Sequence, residues 1–177
     1  MTQHIQDPSP WDAERVRPLT RCQIADRTRE LGDLYAVNSG ADPMNWDIVS
    51  RAFLIRLATD MRRPGFALLV AETGAGERSA TACAYGFPLH DGLFAIREIV
   101  VRARVRRESP GRDWNLARRL QRRLLGDHGD ATGLTLVERS DLWTLDALRS
   151  WGWREVRGGS DDEVPACPPC RVLLLDP

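Results

Sequence analysis

The stretch that most constrains this chain runs from Glu98-Ile-Val-Val101, through an arginine-rich loop, into Arg112-Asp-Trp-Asn115-Leu-Ala117-Arg-Arg-Leu120. It reads as a buried strand, a loop and the first turns of an amphipathic helix beginning near Trp114. Leu116, Leu120 and Leu124 recur at helical spacing with Ala117 beside them, and arginine fills the remaining face. A strand that feeds a helix N-terminus is a ready setting for phosphate. The first backbone N–H groups of a helix have no internal partner, and the dipole there is positive.

The rest of the chain alternates between the two periodicities. Residues 1–12 are polar and proline-bearing and read as a flexible N-terminal arm, leaving 13–177 as one domain. Residues 13–19 alternate like a strand. Cys22 to about Val37 reads as a helix, broken by Asn38-Ser-Gly-Ala-Asp-Pro43. A second helix starts near Trp46, with Phe53, Leu57 and Met61 every four residues, and Pro64-Gly65 closes it. Strand patterns follow near 66–72, 80–87 and 93–101. After the helix of residues 114–125 come a strand through 134–137, a helix over 142–151, and strands near 153–157 and 171–175. The order β-α-α-β-β-β-α-β-α-β-β is that of a single mixed α/β unit with about four helices.

Length and composition agree with one soluble domain. A chain of 177 residues can bury roughly 70% of its unfolded surface in a single core. No apolar run approaches the roughly 20 residues needed to span a bilayer. The N-terminal residues lack a basic segment followed by an apolar core, so a cytoplasmic protein is expected. Net charge is zero, yet every basic residue is an arginine. Ten of these lie between Arg97 and Arg123 against only Glu98, Glu108 and Asp113. A solvated helix face accounts for such a run; so does an anionic partner such as coenzyme A, a carrier-protein phosphopantetheine or RNA. Cys167-Pro-Pro-Cys170 is a lone pair without a second ligand pair, which does not make a zinc site, and no metal is expected.

The segment Arg112-x-x-Asn115-x-Ala117 resembles the Arg/Gln-x-x-Gly-x-Gly/Ala motif with which the GNAT family of N-acetyltransferases wraps the pyrophosphate of coenzyme A. Leu145-Asp-Ala-Leu148-Arg-Ser-Trp-Gly152-Trp153 resembles that family's last helix and the strand after it, with Trp153 where relatives usually carry phenylalanine. Arg62–Glu72 and Ala84-Tyr-Gly-Phe-Pro88 look like the second and third strands of actinobacterial members. The resemblance covers about residues 13 to 175. It implies a central mixed, mostly antiparallel sheet flanked by helices, and transfer of an acetyl or acyl group from acetyl-CoA to an amine of a small molecule or peptide. It departs from the pattern at Asn115, which stands at the first glycine, and at Arg106–Arg112, which looks like an insertion. Two donors therefore stay open: acetyl-CoA or another acyl-CoA, and an acyl group on tRNA or a carrier protein held by the arginines of 97–123.

Such a reaction needs a base for the amine, donors for the oxyanion and an exit for the thiolate. Glu98 is the candidate base, because a carboxylate in the apolar strand Ala95–Val101 would have its pKa raised by burial. The alternative is a carboxylate simply paired with Arg97 or another arginine. The resemblance implies that the backbone at Val100 and Val101 splays from its neighbour and donates to the thioester oxygen. It also implies that Arg106, Arg107, Arg112, Asn115 and Ala117 hold the donor. Leu148 occupies the position where relatives often have a tyrosine that protonates the thiolate, which leaves a non-catalytic binding module as a third reading. Candidate acceptor contacts are Tyr35, Asn38, Asp42 and Trp46, with the acidic Ser160–Glu163. A monomer or a homodimer is equally compatible with the sequence.

Overall fold

The computed structural model describes residues 14–73, 79–90, 92–101, 110–156 and 170–177, with the backbone alone over 110–114. The N-terminal arm, Arg106, Arg107, Cys167 and Ser160–Glu163 lie outside the described residues. Seven strands form one sheet: β1 (Arg15–Pro18), β2 (Ala67–Thr73), β3 (Ser79–His90), β4 (Leu93–Val101), β5 (Thr132–Glu138), β6 (Arg154–Glu155) and β7 (Cys170–Leu175). Their spatial order is β1-β2-β3-β4-β5-β7-β6. Every neighbouring pair is antiparallel except β4 and β5, which run parallel. The sheet is therefore mixed and mostly antiparallel, as expected.

Among the described residues, five helices pack on it: α1 (Arg21–Asp26), α2 (Thr28–Asn38), α3 (Trp46–Asp60), α4 (Pro110–Gly126) and α5 (Leu142–Ser150). The sequence predicts one helix where α1 and α2 stand. The break falls at Arg27, whose φ of −107° and ψ of 14° leave the helical region. The Thr28 hydroxyl donates to the carbonyls of Ile24 and Ala25 at 3.2 and 2.8 Å, occupying acceptors that a continuous helix would offer to later N–H groups. The helix predicted to begin near Trp114 instead begins at Pro110. Proline suits a first helical position, since its fixed φ is helical and its missing N–H is one the helix would leave unpaired.

The alternation of strand residues builds two cores. Leu69, Ala71, Ala82, Ala84, Phe94, Ile96 and Val101 face Leu116, Leu120 and Leu124 of α4 and Leu145 and Leu148 of α5. Leu68, Val70, Cys83, Tyr85 and Val100 face Ile24, Leu31, Leu34, Phe53 and Leu57 of α1–α3. Two buried polar groups between these layers have well-placed partners. Buried Glu72 takes Arg17 through two contacts, at 2.7 and 2.9 Å, and also Arg27. The two guanidiniums, Arg17 first, hold its carboxyl below the usual range. Trp153 Nε1 donates to Oε1 of buried Gln121 at 2.9 Å. Among the described residues, no helix is long and apolar enough to cross a membrane.

Candidate active site

The parallel ladder between β4 and β5 covers only Leu93–Ala95 against Thr132–Leu134. Both strands continue, β4 to Val101 and β5 to Glu138, but they part. At the fork, the Thr135 hydroxyl donates to the Ile96 carbonyl at 3.0 Å, so a side chain replaces the next rung. Beyond it the gap widens into a cleft of about 460 Å³. Its walls are Ile96–Val101 of β4, Thr135–Glu138 of β5, Ala117 of α4, Leu148 of α5 and, on the opposite face of the sheet, Tyr35, Asn38 and Ser39 of α2 and the residue after it.

The other edge of β4 is irregular at the same level. Ile96 pairs with Gly86 and Glu98 pairs with Tyr85, so Arg97 is an extra residue without a partner across the ladder. A bulge of this kind re-aims the side chains that follow it. In regular alternation Arg97 and Glu98 would point to opposite faces; here both reach α3. Arg97 Nε lies 3.2 Å from Asp60 Oδ2, and Glu98 Oε1 lies 3.4 Å from Arg56 Nη2. Asp60 and Arg56 are one helical turn apart. Ile99 and Val101 consequently join Ile96 on the α4 side, while Glu98 and Val100 face α2 and α3.

Glu98 is partly buried, with 26% of its side chain exposed. Burial pushes its carboxyl pKa up, and the nearby Arg56 opposes that rise without cancelling it. The same Arg56 Nη2 donates to the Tyr35 hydroxyl at 3.0 Å. The Tyr35 ring is stacked on Phe53 with centroids 4.4 Å apart and planes 9° from parallel, which fixes the hydroxyl at the wall. Burial and the negative charge of Glu98 raise the Tyr35 pKa, so the phenol stays protonated.

The sequence candidates separate clearly in space. Glu98, Val100, Val101, Ala117, Tyr35 and Asn38 all line the cleft. Asp42 and Trp46 do not: Asp42 accepts from the Met44 N–H in a short 3-10 turn, and the Trp46 indole donates to the Ala41 carbonyl. Asn115 is exposed in the second turn of α4, with helical rather than left-handed backbone. The earlier start of α4 thus moves it away from the helix terminus where sequence had placed it. Arg112 lies in the first turn. Leu148 lines the cleft while being only 3% exposed. It lies one turn before Gly152, whose φ of +96° ends the helix and lets the Trp153 N–H reach the Leu148 carbonyl at 3.1 Å.

Sequence did not single out Thr135, Glu138 and Asp141 on the cleft wall, nor Arg56 behind Glu98. Arg56 reads as one more polar residue on an amphipathic helix until the register of β4 is known. Among the described residues, no group of three or more His, Cys, Asp or Glu is arranged to hold a metal ion.

No family model matches the sequence, and no curated protein matches it. Solved structures do match the fold. The protein PH1933 of Pyrococcus horikoshii superposes with a TM-score of 0.67 at 14% identity, over 93% of this chain and 98% of that one. A GNAT-family acetyltransferase of Staphylococcus aureus gives 0.61 at 11% identity, over 92% and 98%. The ribosomal-protein-S18-alanine N-acetyltransferase of Escherichia coli gives 0.57 at 15% identity, over 92% of each chain. At such identities the likeness is one of architecture, and in architecture this chain has the fold of the GNAT acetyltransferases.

Proposed function

We propose that the protein is an acyltransferase that moves an acyl group from acetyl-CoA, or another acyl-CoA, to an amine of a small molecule or peptide. The observation that carries this reading is the fork between β4 and β5 with Glu98 on its wall. The fork brings unpaired strand backbone and a carboxylate of raised pKa to one cleft. A thioester carbonyl laid against β4 would meet the backbone at Val100 and Val101, where an N–H turned to the open edge would stabilise an oxyanion. The amine would approach from the side of Tyr35 and Glu98. A carboxylate whose pKa is raised toward neutrality is a better proton acceptor than an ordinary one, and Glu98 would take the amine proton directly or through water.

The apolar wall at Ala117 and Leu148 suits the thiol arm of the donor. Leu148 offers no proton, so the thiolate would leave as such or be protonated by water. An acyl group on tRNA or a carrier protein is the competing donor. It is favoured by the arginines of α4, but Arg123 is already paired with Asp127 at 2.7 Å and Arg119 donates to the Glu14 carbonyl at 3.2 Å. Acyl-CoA therefore fits better.

Calorimetric titration with acetyl-CoA, followed by an acetyl-transfer assay over a panel of amines, tests the reading. Binding that survives Glu98→Gln, with a rate lowered about 100- to 10,000-fold at neutral pH, is the expected outcome. Absence of acetyl-CoA binding at millimolar ligand would remove acetyl-CoA as donor. Binding to RNA that falls steeply with salt would then favour the alternative.

A further inference from the structure

The charges behind the cleft wall are paired in a crossed arrangement. Along β4 the order is Arg97 then Glu98; on the facing side of α3 it is Arg56 then Asp60. Asp60, only 7% exposed, binds Arg97 at 3.2 Å and also lies 3.6 Å from Arg63. The arginine adjacent to Glu98 in sequence is thus engaged elsewhere. Among the described residues, Arg56 is the cation within hydrogen-bond distance of Glu98, and it does not line the cleft itself. Its Nη2 is shared: the shorter contact is to the Tyr35 hydroxyl at 3.0 Å and the longer one to Glu98 at 3.4 Å. Its guanidinium carbon also lies over the Tyr35 ring, 5.5 Å from the centroid.

We infer that Arg56 is a positioning residue which, through one shared nitrogen, holds the Glu98 carboxylate and the Tyr35 hydroxyl as a single unit on the wall where the acceptor amine enters. This rests on the reading of Glu98 as the base. The geometry has two consequences. Because the Tyr35 oxygen accepts from Arg56, the phenolic O–H remains available to donate into the cleft. And because Tyr35 draws the guanidinium away, Glu98 feels a partner that is close enough to orient it but too distant to neutralise it.

Charged and titratable groups face Glu98 from every element around it. Arg56 and Asp60 act on it from α3 and Arg97 from β4, while Tyr35 of α2 and Tyr85 and Cys83 of β3 have their own pKa values raised by its charge. Glu138 of β5 acts on the same cluster across the cleft through Tyr35. Burial is the largest influence and raises the Glu98 pKa; Arg56 is the first to oppose it. Removing Arg56 should therefore raise the midpoint further. Removing the Tyr35 hydroxyl should lower it, by releasing the guanidinium to Glu98 alone. A role that is merely structural predicts no such pair of opposite shifts.

The test is a carbon-13 NMR titration of the glutamate carboxyl groups in the whole protein, with the Glu98 signal identified from Glu98→Gln. In Arg56→Gln, which can still reach the Tyr35 hydroxyl without a charge, the Glu98 midpoint should rise by about one pH unit. Arg56→Lys should restore most of the original value, and Tyr35→Phe should move it downward. A midpoint unchanged in Arg56→Gln, or raised equally in Arg56→Lys, would overturn the inference. The measurement needs no acceptor. A protein that showed these shifts yet failed to bind acetyl-CoA would count against the acyl-CoA reading and leave the role of Arg56 standing.

Discussion

The two edges of β4 behave differently within a few residues of one another. Toward β3 the strand stays paired from Leu93 to Val101, with one extra residue on β4, Arg97, and one on β3, Leu89. Toward β5 it gives up pairing altogether after Ala95. The closed edge aims a charged side chain, and the open edge supplies the space it is aimed into. Neither alone makes a site. A bulge beside a continuous β5 would press Glu98 against a sheet with no cleft, and a fork beside a regular β3 would turn Glu98 into the apolar layer under α4.

The closed edge should be the easier to break. A Cβ on Gly86 would sit 2.1 Å from the Ala95 carbonyl oxygen and 2.6 Å from Phe94 Cε1. Since the first of these is backbone, Gly86→Ala should cost more than about 4 kcal/mol, or prevent folding, as read by urea denaturation. A loss within ordinary surface range would mean that β3 and β4 can part at the bulge without harm.

Leu148→Tyr probes the wall of the open edge. Leu148 is buried yet lines the cleft, so the larger ring has space on one side only. Overpacking should cost about 1–3 kcal/mol with the fold retained, measurable as a lowered Tm. Thr135→Val is a finer probe of the fork. It keeps the shape and deletes the hydroxyl that caps Ile96, and a loss of about 1 kcal/mol is expected. No loss at all would show that solvent replaces that contact without cost.

The smallest effect concerns pH. The native pKa of Glu98 is raised, so between the ordinary glutamate value and that raised value the native state binds more protons than the unfolded state. Its contribution to stability is present in full at low pH and is lost as pH rises through this window. The Glu98→Gln variant lacks that slope. Its Tm relative to the parent protein should therefore climb from acid toward neutral pH and then level off. A relative Tm that fell over the same range would mean that Glu98 is a stabilising partner of Arg56 rather than a carboxylate strained by burial.

Much of this fold could be read before the register was known. The helical spacing of Leu116, Leu120 and Leu124 and the apolar run of β4 place both walls of the cleft in order along the chain. Hydrophobic periodicity reports which face a residue takes relative to its neighbours, and that sufficed for the two cores. It did not suffice for Arg97 and Glu98, because one unpaired residue in a strand leaves no compositional trace. Tyr35 and Asn38 rest on the resemblance, which implies acceptor contacts from the first helices and the turn between them; Arg56 carries no such signal, since its meaning depends on two strands it does not belong to. Asn115 was misplaced for a simpler reason. In sequence Pro110 reads with the loop, although proline opens helices as readily as it interrupts them.

A strand has a parity: odd residues look one way and even residues the other. Arg97 resets that parity in the middle of β4, which is how one strand presents Ile96 and Ile99 to the same apolar core and Glu98 to the other. Side-chain identity at position 97 has little say in this, because what matters is that the residue stands outside the ladder. Replacing Arg97 would disturb its pairing with Asp60 and leave the parity intact. Deleting it would remove the bulge and still leave Ile96 and Glu98 opposite the adjacent Gly86 and Tyr85, so every face from Glu98 to Val101 would stay as it is. Only drawing Arg97 into the ladder would turn Glu98 toward α4 and Ile99 toward α3, so this segment depends on one residue being left out of the pairing.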